Sequence, residues 1–236
     1  MSAAVLTTEE HVTSMSPIID EQPVDPAGPR TGDGAPGDGD STDGRRVRRT
    51  RNVASVVEAL ITLFHEGEVH PTAQQLADRS GVSLRSVFRY FDDMQDLVVR
   101  AIELHVARCE PLYQLPARPP LASLDERIAR IAAHRVRLYF ALAPIVRAAR
   151  IRQHELPAVA ELAAERRRLV QDQTEAWFAP ELDRAALDER SVVLGCLDTA
   201  LQFESAEHLD VRMGLDPDAI ERAFRLSASR ILAPLC

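Results

Sequence analysis

Residues 72–91, TAQQLADRSGVSLRSVFRYF, decide how this chain is read. Thr72 is a helix N-cap residue, Gln75 stands three positions later where a capping box needs it, and Pro71 keeps the approach extended. The helix begun there is predicted to run to about Ser80. Gly81 supplies the backbone freedom for a tight turn, and Ser83 caps a second short helix that ends at Tyr90. Small Ala77 lets the two helices approach, while Val82 and Val87 point inward. Two short helices joined at a Gly turn, with inward residues at these positions, have the pattern of a helix-turn-helix.

Outward from this segment the apolar spacing is helical throughout. Upstream, Val53, Val57, Leu60 and Phe64 predict a helix from about Arg51 to Gly67. Downstream, Asp93 and Asp96 cap a longer helix whose stripe is Leu97, Ala101, Leu104 and Ala107, ending near Pro111. Past the connector LPARPP (115–120), Ser123 and Glu126 form another capping box ahead of Leu124, Ile128, Ile131 and Leu138. Pro144 and Pro157 are expected to interrupt the next stretch, the second opening a helix that reaches Trp177 and Phe178. Two helices close the chain, one from roughly Leu187 to Leu209 and one opened by Asp216 and Pro217 with Ile220, Phe224, Ser227 and Ile231. No strand pattern occurs, so the expected fold class is all-α.

The net charge of −8 is concentrated at the start. Residues 1–44 carry nine acidic residues against Arg30 alone, so the remainder is neutral. The Gly/Pro/Asp-rich run at 26–44 lacks apolar periodicity, and residues 1–44 are expected to be a disordered acidic tail. The sign then reverses at RRVRRTR (45–51), where Arg45, Arg46, Arg48 and Arg49 are expected to bind phosphates or enter a minor groove. The tail is placed to compete with DNA for that run. Cys109, Cys196 and Cys236 are widely separated, which predicts reduced thiols. His105 and Cys109 stand four apart with no third ligand, so no metal is expected. There is no apolar run of membrane-spanning length and no leader-like start, which predicts a cytoplasmic protein. Absence of a nucleophile–base set, a carboxylate pair or a phosphate loop argues against an enzyme, and no cofactor is called for.

From about Arg48 to Leu104 the sequence, including FDDMQDL after Tyr90, resembles the DNA-binding domain of TetR-family transcriptional regulators. The resemblance implies a three-helix DNA-binding domain (45–105) followed by a helical ligand-binding and dimerisation domain (106–236). By position, Thr72 matches a phosphate-contacting hydroxyl at a helix N-terminus. Ser83, Leu84, Arg85 and Ser86 match the start of the major-groove helix, with Arg89 beside it. Tyr90 matches a phosphate-binding position, and Phe88 and Phe91 match aromatic core positions. Met94 stands where the family often has Lys, and Arg85 where it usually has a small residue; an Arg fork there suits guanine O6 and N7.

The implied partners are a palindromic double-stranded operator, a second copy of the chain, and an unidentified small-molecule effector that releases the DNA. The implied role is most simply that of a repressor. His134 and Arg135 border the apolar stripe of their helix and, with Trp177, are candidates for the effector site. The last two helices resemble a family dimer interface, with Leu197, Phe203, Phe224 and Ile231 either meeting the partner or packing in their own domain.

Overall fold

The computed structural model describes residues 40–116 and 122–235, in which eleven α-helices occur and no strand. From Ser41 onward the chain forms one compact unit. α1 (Asp40–His65) begins well ahead of its first apolar stripe. Arginine is a good helix former, and Thr50 and Ser55 donate to the carbonyls four residues back (3.1 and 3.0 Å). Arg45, Arg46, Arg48 and Arg49 therefore lie on helical turns and not on an extended arm, and the boundary expected at residue 45 falls inside α1. The acidic tail expected over 1–44 lies outside the described residues, apart from the part that α1 takes in. Gly67 ends the helix in the left-handed region (φ 86°), with Glu68 N–H bonded to the Leu63 carbonyl at 2.9 Å.

α2 (Ala73–Ser80), α3 (Leu84–Tyr90) and α4 (Met94–Arg108) follow at the predicted places. The face that α4 buries is turned relative to the expected one. Leu97, Val98, Ala101, Ile102, His105 and Val106 are buried, whereas Leu104 is half-buried and Ala107 is exposed. Both rows keep Leu97 and Ala101; the difference is which neighbour continues the stripe. A four-residue turn, α5 (Glu110–Tyr113), precedes the connector, part of which lies outside the described residues.

α6 (Leu124–Arg152) is continuous through Pro144, contrary to the expected interruption. An interior proline removes the hydrogen bond to the carbonyl four residues back and costs about 3 kcal/mol. That carbonyl belongs to Phe140, an exposed residue, while Leu142, Ala143 and Ile145 on either side of the proline are held in the core. Packing on both flanks outweighs the local penalty. α7 (Pro157–Trp177) and α8 (Ala179–Leu182) follow. The helix expected over 187–209 is broken at Gln202 into α9 (Arg190–Leu201) and α10 (Phe203–Glu207), which runs into a π-helical turn at His208–Arg212. α11 (Pro217–Leu232) is capped by the Asp216 carboxylate, which accepts from Ala219 N–H at 2.7 Å.

Two apolar clusters organise these helices, and α6 serves both. The first joins α1 to α4 with Leu138, Leu142, Ile145 and Ala148 of α6. The second joins Ile128, Ile131 and Tyr139 of α6 to Trp177, Phe178, Leu197 and the α11 row Ile220, Phe224, Ala228 and Leu232. α4, across which the 105/106 boundary was drawn, packs its whole buried face into the first cluster. None of the described helices is long and apolar enough to cross a membrane.

Candidate nucleic-acid interface and interior cavity

The helix-turn-helix is built by its own polar groups. Thr72 Oγ1 accepts from Gln75 N–H at 3.2 Å while Gln75 Oε1 accepts from Thr72 N–H at 2.7 Å. Gly81 adopts φ 68°, a left-handed conformation that a side chain disfavours, and its N–H closes α2 on the Ala77 carbonyl at 3.1 Å. Ser83 Oγ accepts from Ser86 N–H at 3.3 Å and contacts Ser86 Oγ at 3.0 Å. Val82, Val87 and Phe91 face the core.

Seven residues of α3 leave one face to solvent: Leu84, Arg85, Phe88 and Arg89. Among the described residues Arg85 makes no hydrogen bond or ion pair, which leaves its fork open to an acceptor pair. Phe88 is 62% exposed, which corrects its expected place in the core. Val87 and Phe91, four apart, fill the inward row, and Phe88 sits about 100° round the helix from Val87. The 3.6-residue period separates Phe88 from the core pair; the aromatic pattern FRYF does not. Tyr90 Oη accepts from Asn52 Nδ2 of α1 (3.1 Å) and from Arg89 Nη2 (3.2 Å). Those two donors, Asn52 first, hold the phenol below its ordinary pKa and leave its O–H to donate outward. Met94, at the expected lysine position, packs partly buried against the first cluster.

The Asn52–Tyr90 bond also shows which side of α1 is turned to α3. At about 100° per residue, Arg45, Arg48 and Arg49 fall within about 60° of Asn52, whereas Arg46 and Arg51 point about 100–120° away. Arg45 stands about 10 Å along the axis from Asn52. Arg45, Arg48 and Arg49 thus share the side of α1 that Asn52 turns to Tyr90 at the end of α3.

α4, α6, α7 and the α9–α10 break line a partly open cavity of about 410 Å³. Ile102, Val106, Leu142 and Leu162 give it apolar walls, and Arg135, Asp198 and Gln202 give it polar ones. Arg135 is thus where the effector reading placed it. His134 and Trp177 are not. His134 is buried with Nε2–H donating to the Gln114 carbonyl at 3.1 Å, and burial first, then the neighbouring Arg135 charge, pushes its pKa down to about 4. Trp177 is core, its Nε1–H donating to the Arg127 carbonyl at 3.0 Å. Beside it Arg127 and Glu181 form a buried bidentate pair, one bond of 2.9 Å, with Arg127 also donating to the Trp177 carbonyl. Fifty-four residues separate the partners, so nothing in the sequence pairs them. His105 bonds the Ala141 carbonyl at 3.0 Å, and no group of three His, Cys, Asp or Glu suited to a metal occurs among the described residues.

Two of the four expected dimer contacts are internal. Leu197 and Phe224 are 0% and 1% exposed in the second cluster, and Phe203 packs on Tyr139 (centroids 4.9 Å apart) at the cavity wall. Ile231 is half-buried. The outward face of α9 instead presents Val192, Gly195, Cys196 and Thr199, at i, i+3, i+4 and i+7, and α11 presents Leu226.

No protein-family profile matches the chain, and no curated protein is similar to it in sequence. Among solved structures it is similar to a transcriptional regulator from Rhodococcus sp. Rha1, with TM-score 0.56 and 15% identity, covering 79% of this chain and 96% of that one. That likeness shows a shared all-helical fold.

Proposed function

We propose that the protein is a DNA-binding transcriptional regulator of the TetR type, a repressor that binds a palindromic operator as a homodimer and releases it when a small molecule fills the cavity. The observation that carries this reading is the exposed face of α3, where an unpaired Arg85 and a solvent-facing Phe88 flank capped, hydroxyl-rich helix starts. Such a face has no packing role among the described residues. Arg85 suits guanine O6 and N7, and Leu84 and Phe88 suit a thymine methyl. Thr72, Tyr90 and the arginines of α1 would position the helix on phosphates. A second copy would cover Val192, Cys196 and Leu226, placing two reading heads on two half-sites. The cavity supports an effector because its wall residues Ile102 and Val106 belong to α4, which directly follows the reading helices. The Rhodococcus regulator's similar fold is consistent with this role.

The experiment is a gel shift on the DNA upstream of the protein's own coding region, with nonspecific competitor and a salt titration. A saturable shift that survives competitor is expected, and light scattering should return twice the chain mass. A shift that competitor removes in full would leave the chain as a helical interaction protein.

A further inference from the structure

We propose that the cavity is built to take a small monocarboxylic acid with an apolar body, held by its carboxylate on Arg135. The inference rests on the reading of this cavity as an effector site and goes further by naming the ligand's chemistry.

Arg135 is 3% exposed and lines the cavity from the middle of α6. Its hydrogen bonds all go to neutral acceptors: Nη1 to Gln173 Oε1 at 2.9 Å, and Nη2 to the Val170 carbonyl at 3.0 Å and Thr174 Oγ1 at 3.3 Å. These fix the plane of the guanidinium without neutralising it. The Nε–H is buried with no partner among the described residues. A guanidinium so held is oriented, charged and one bond short, and a buried charge is costly unless an opposite charge meets it. Burial accordingly pushes its pKa down to about 10, still leaving it a cation at neutral pH, with Asp198 opposing the shift. Asp198, the nearest candidate counter-ion, makes no hydrogen bond to it, and burial raises its own carboxyl.

The remaining charges of the wall agree in sign. Among the described lining residues, five arginines face the carboxylates of Asp198 and Glu204. Arg150 is already held by Glu204 and Glu207, Arg166 is held by Glu110 at 2.7 Å although its own Nε–H is also buried without a described partner, and Arg167 and Arg168 are exposed, which leaves Arg135 as the deeply buried cation with no carboxylate bonded to it. The rest of the wall is mostly apolar, aliphatic side chains together with Tyr113, Tyr139 and Phe203, which asks for an apolar body. A volume of about 410 Å³ lies in the range of about 300–1,000 Å³ typical of small-molecule sites. An anion is favoured over an amine because an ammonium would have to displace Arg135 from Asp198's field while leaving the Nε–H unmet.

The test is calorimetric titration of the full chain with decanoic acid and 4-phenylbutyric acid, each beside its primary amide, and with decylamine. Both sources of the carboxylate, aliphatic and aryl, are thereby sampled. At least one acid is expected to bind about tenfold or more tightly than its amide, since a hydrogen bond to a charged partner is at stake. Arg135→Met should erase that difference. Because that variant removes three internal hydrogen bonds, Asp198→Asn serves beside it, and it should tighten acid binding severalfold by removing a like charge. Equal affinity for acid and amide, preference for the amine, no binding of either acid, or weaker acid binding by Asp198→Asn each overturns the proposal. The gel shift is read separately. Selective DNA binding with no acid preference refutes the ligand class alone, and acid preference without DNA binding refutes the regulator reading alone.

Discussion

If α1 is a helix through its arginine run, the run's contribution to DNA binding is set by angle, not by number of charges. Asn52 fixes the reference direction through its bond to Tyr90, and Arg45, Arg48 and Arg49 share that side while Arg46 and Arg51 do not. Each phosphate neutralised contributes about 0.9 to the slope of log K against log salt. Replacing Arg45, Arg48 and Arg49 by Gln should therefore lower the slope by up to about 2.7 per protomer. Between about 50 and 200 mM salt that difference amounts to about 40-fold in affinity. The control removes Arg46 and Arg51, for which the helix predicts a change in slope under about 0.5. Fluorescence anisotropy on one operator duplex at four or more salt concentrations measures both. An extended arm has no such periodicity. Equal slope loss per arginine in the two variants would refute a helical display of the run, and no loss in either would remove it from the interface.

Arg85→Ala should cost about 1–3 kcal/mol on the best operator and relax preference at one base pair, read by competition with single-base operator variants. Glu181→Leu leaves Arg127 buried and unpaired and should destabilise by about 3–5 kcal/mol, about 10 °C in Tm, while the double variant Arg127→Met with Glu181→Leu recovers most of it in thermal denaturation. His134 has a folded pKa of about 4 against an ordinary 6.5, so the unfolded chain takes up the proton first as pH falls. Its stabilising effect is therefore full above about pH 6.5 and is lost as pH drops towards 4, at up to about 1.4 kcal/mol per pH unit. Denaturant titrations of wild type and His134→Gln at about pH 7.5 and 5.5 should show a smaller pH effect in the variant; identical pH effects would count against it. His105→Phe removes the bond from α4 to the Ala141 carbonyl and should weaken operator binding by up to about fivefold through head placement, with nonspecific binding unchanged.

What the sequence disclosed was whatever is local. The caps at Thr72, Ser83, Asp93, Ser123 and Asp216 and the left-handed turn at Gly81 sit where they were read, because each is decided by residues within four positions. Errors came where distant packing overrides a local rule. Pro144 does not stop α6 because core packing grips the helix on either side of it, and Leu197 and Phe224 are core because α9 and α11 pack on each other and α11 packs on the distant α6. Phe88 was misplaced for a different reason: resemblance supplied an aromatic position, and the one-residue rotation that turns it outward needs the helix period to be followed from Val87. Of the effector candidates, Arg135 lines the cavity and His134 does not, although they are neighbours. About 100° of helix rotation separates a cavity wall from the packed side facing Gln114.

That rotation bears on how a filled cavity would act on DNA. α4 is tied on one side to α1 by the Arg108–Glu58 pair and on another to α6 by His105 and the Ala141 carbonyl. The first tie is bidentate and internal to the reading bundle. The second, a single bond, spans the cavity-lining helices. Under the proposed reading, a ligand that separates α4 from α6 would break the His105 bond and leave the Arg108–Glu58 pair in place, so that α4 would travel with α1. Under that reading, release would follow from the spacing of two heads in the proposed dimer, and the ligand's effect would be limited to its differential affinity for the two spacings. A single isolated head should bind half-site DNA equally well with the cavity full or empty. Loss of half-site binding on ligand addition would instead place the change within the reading bundle itself.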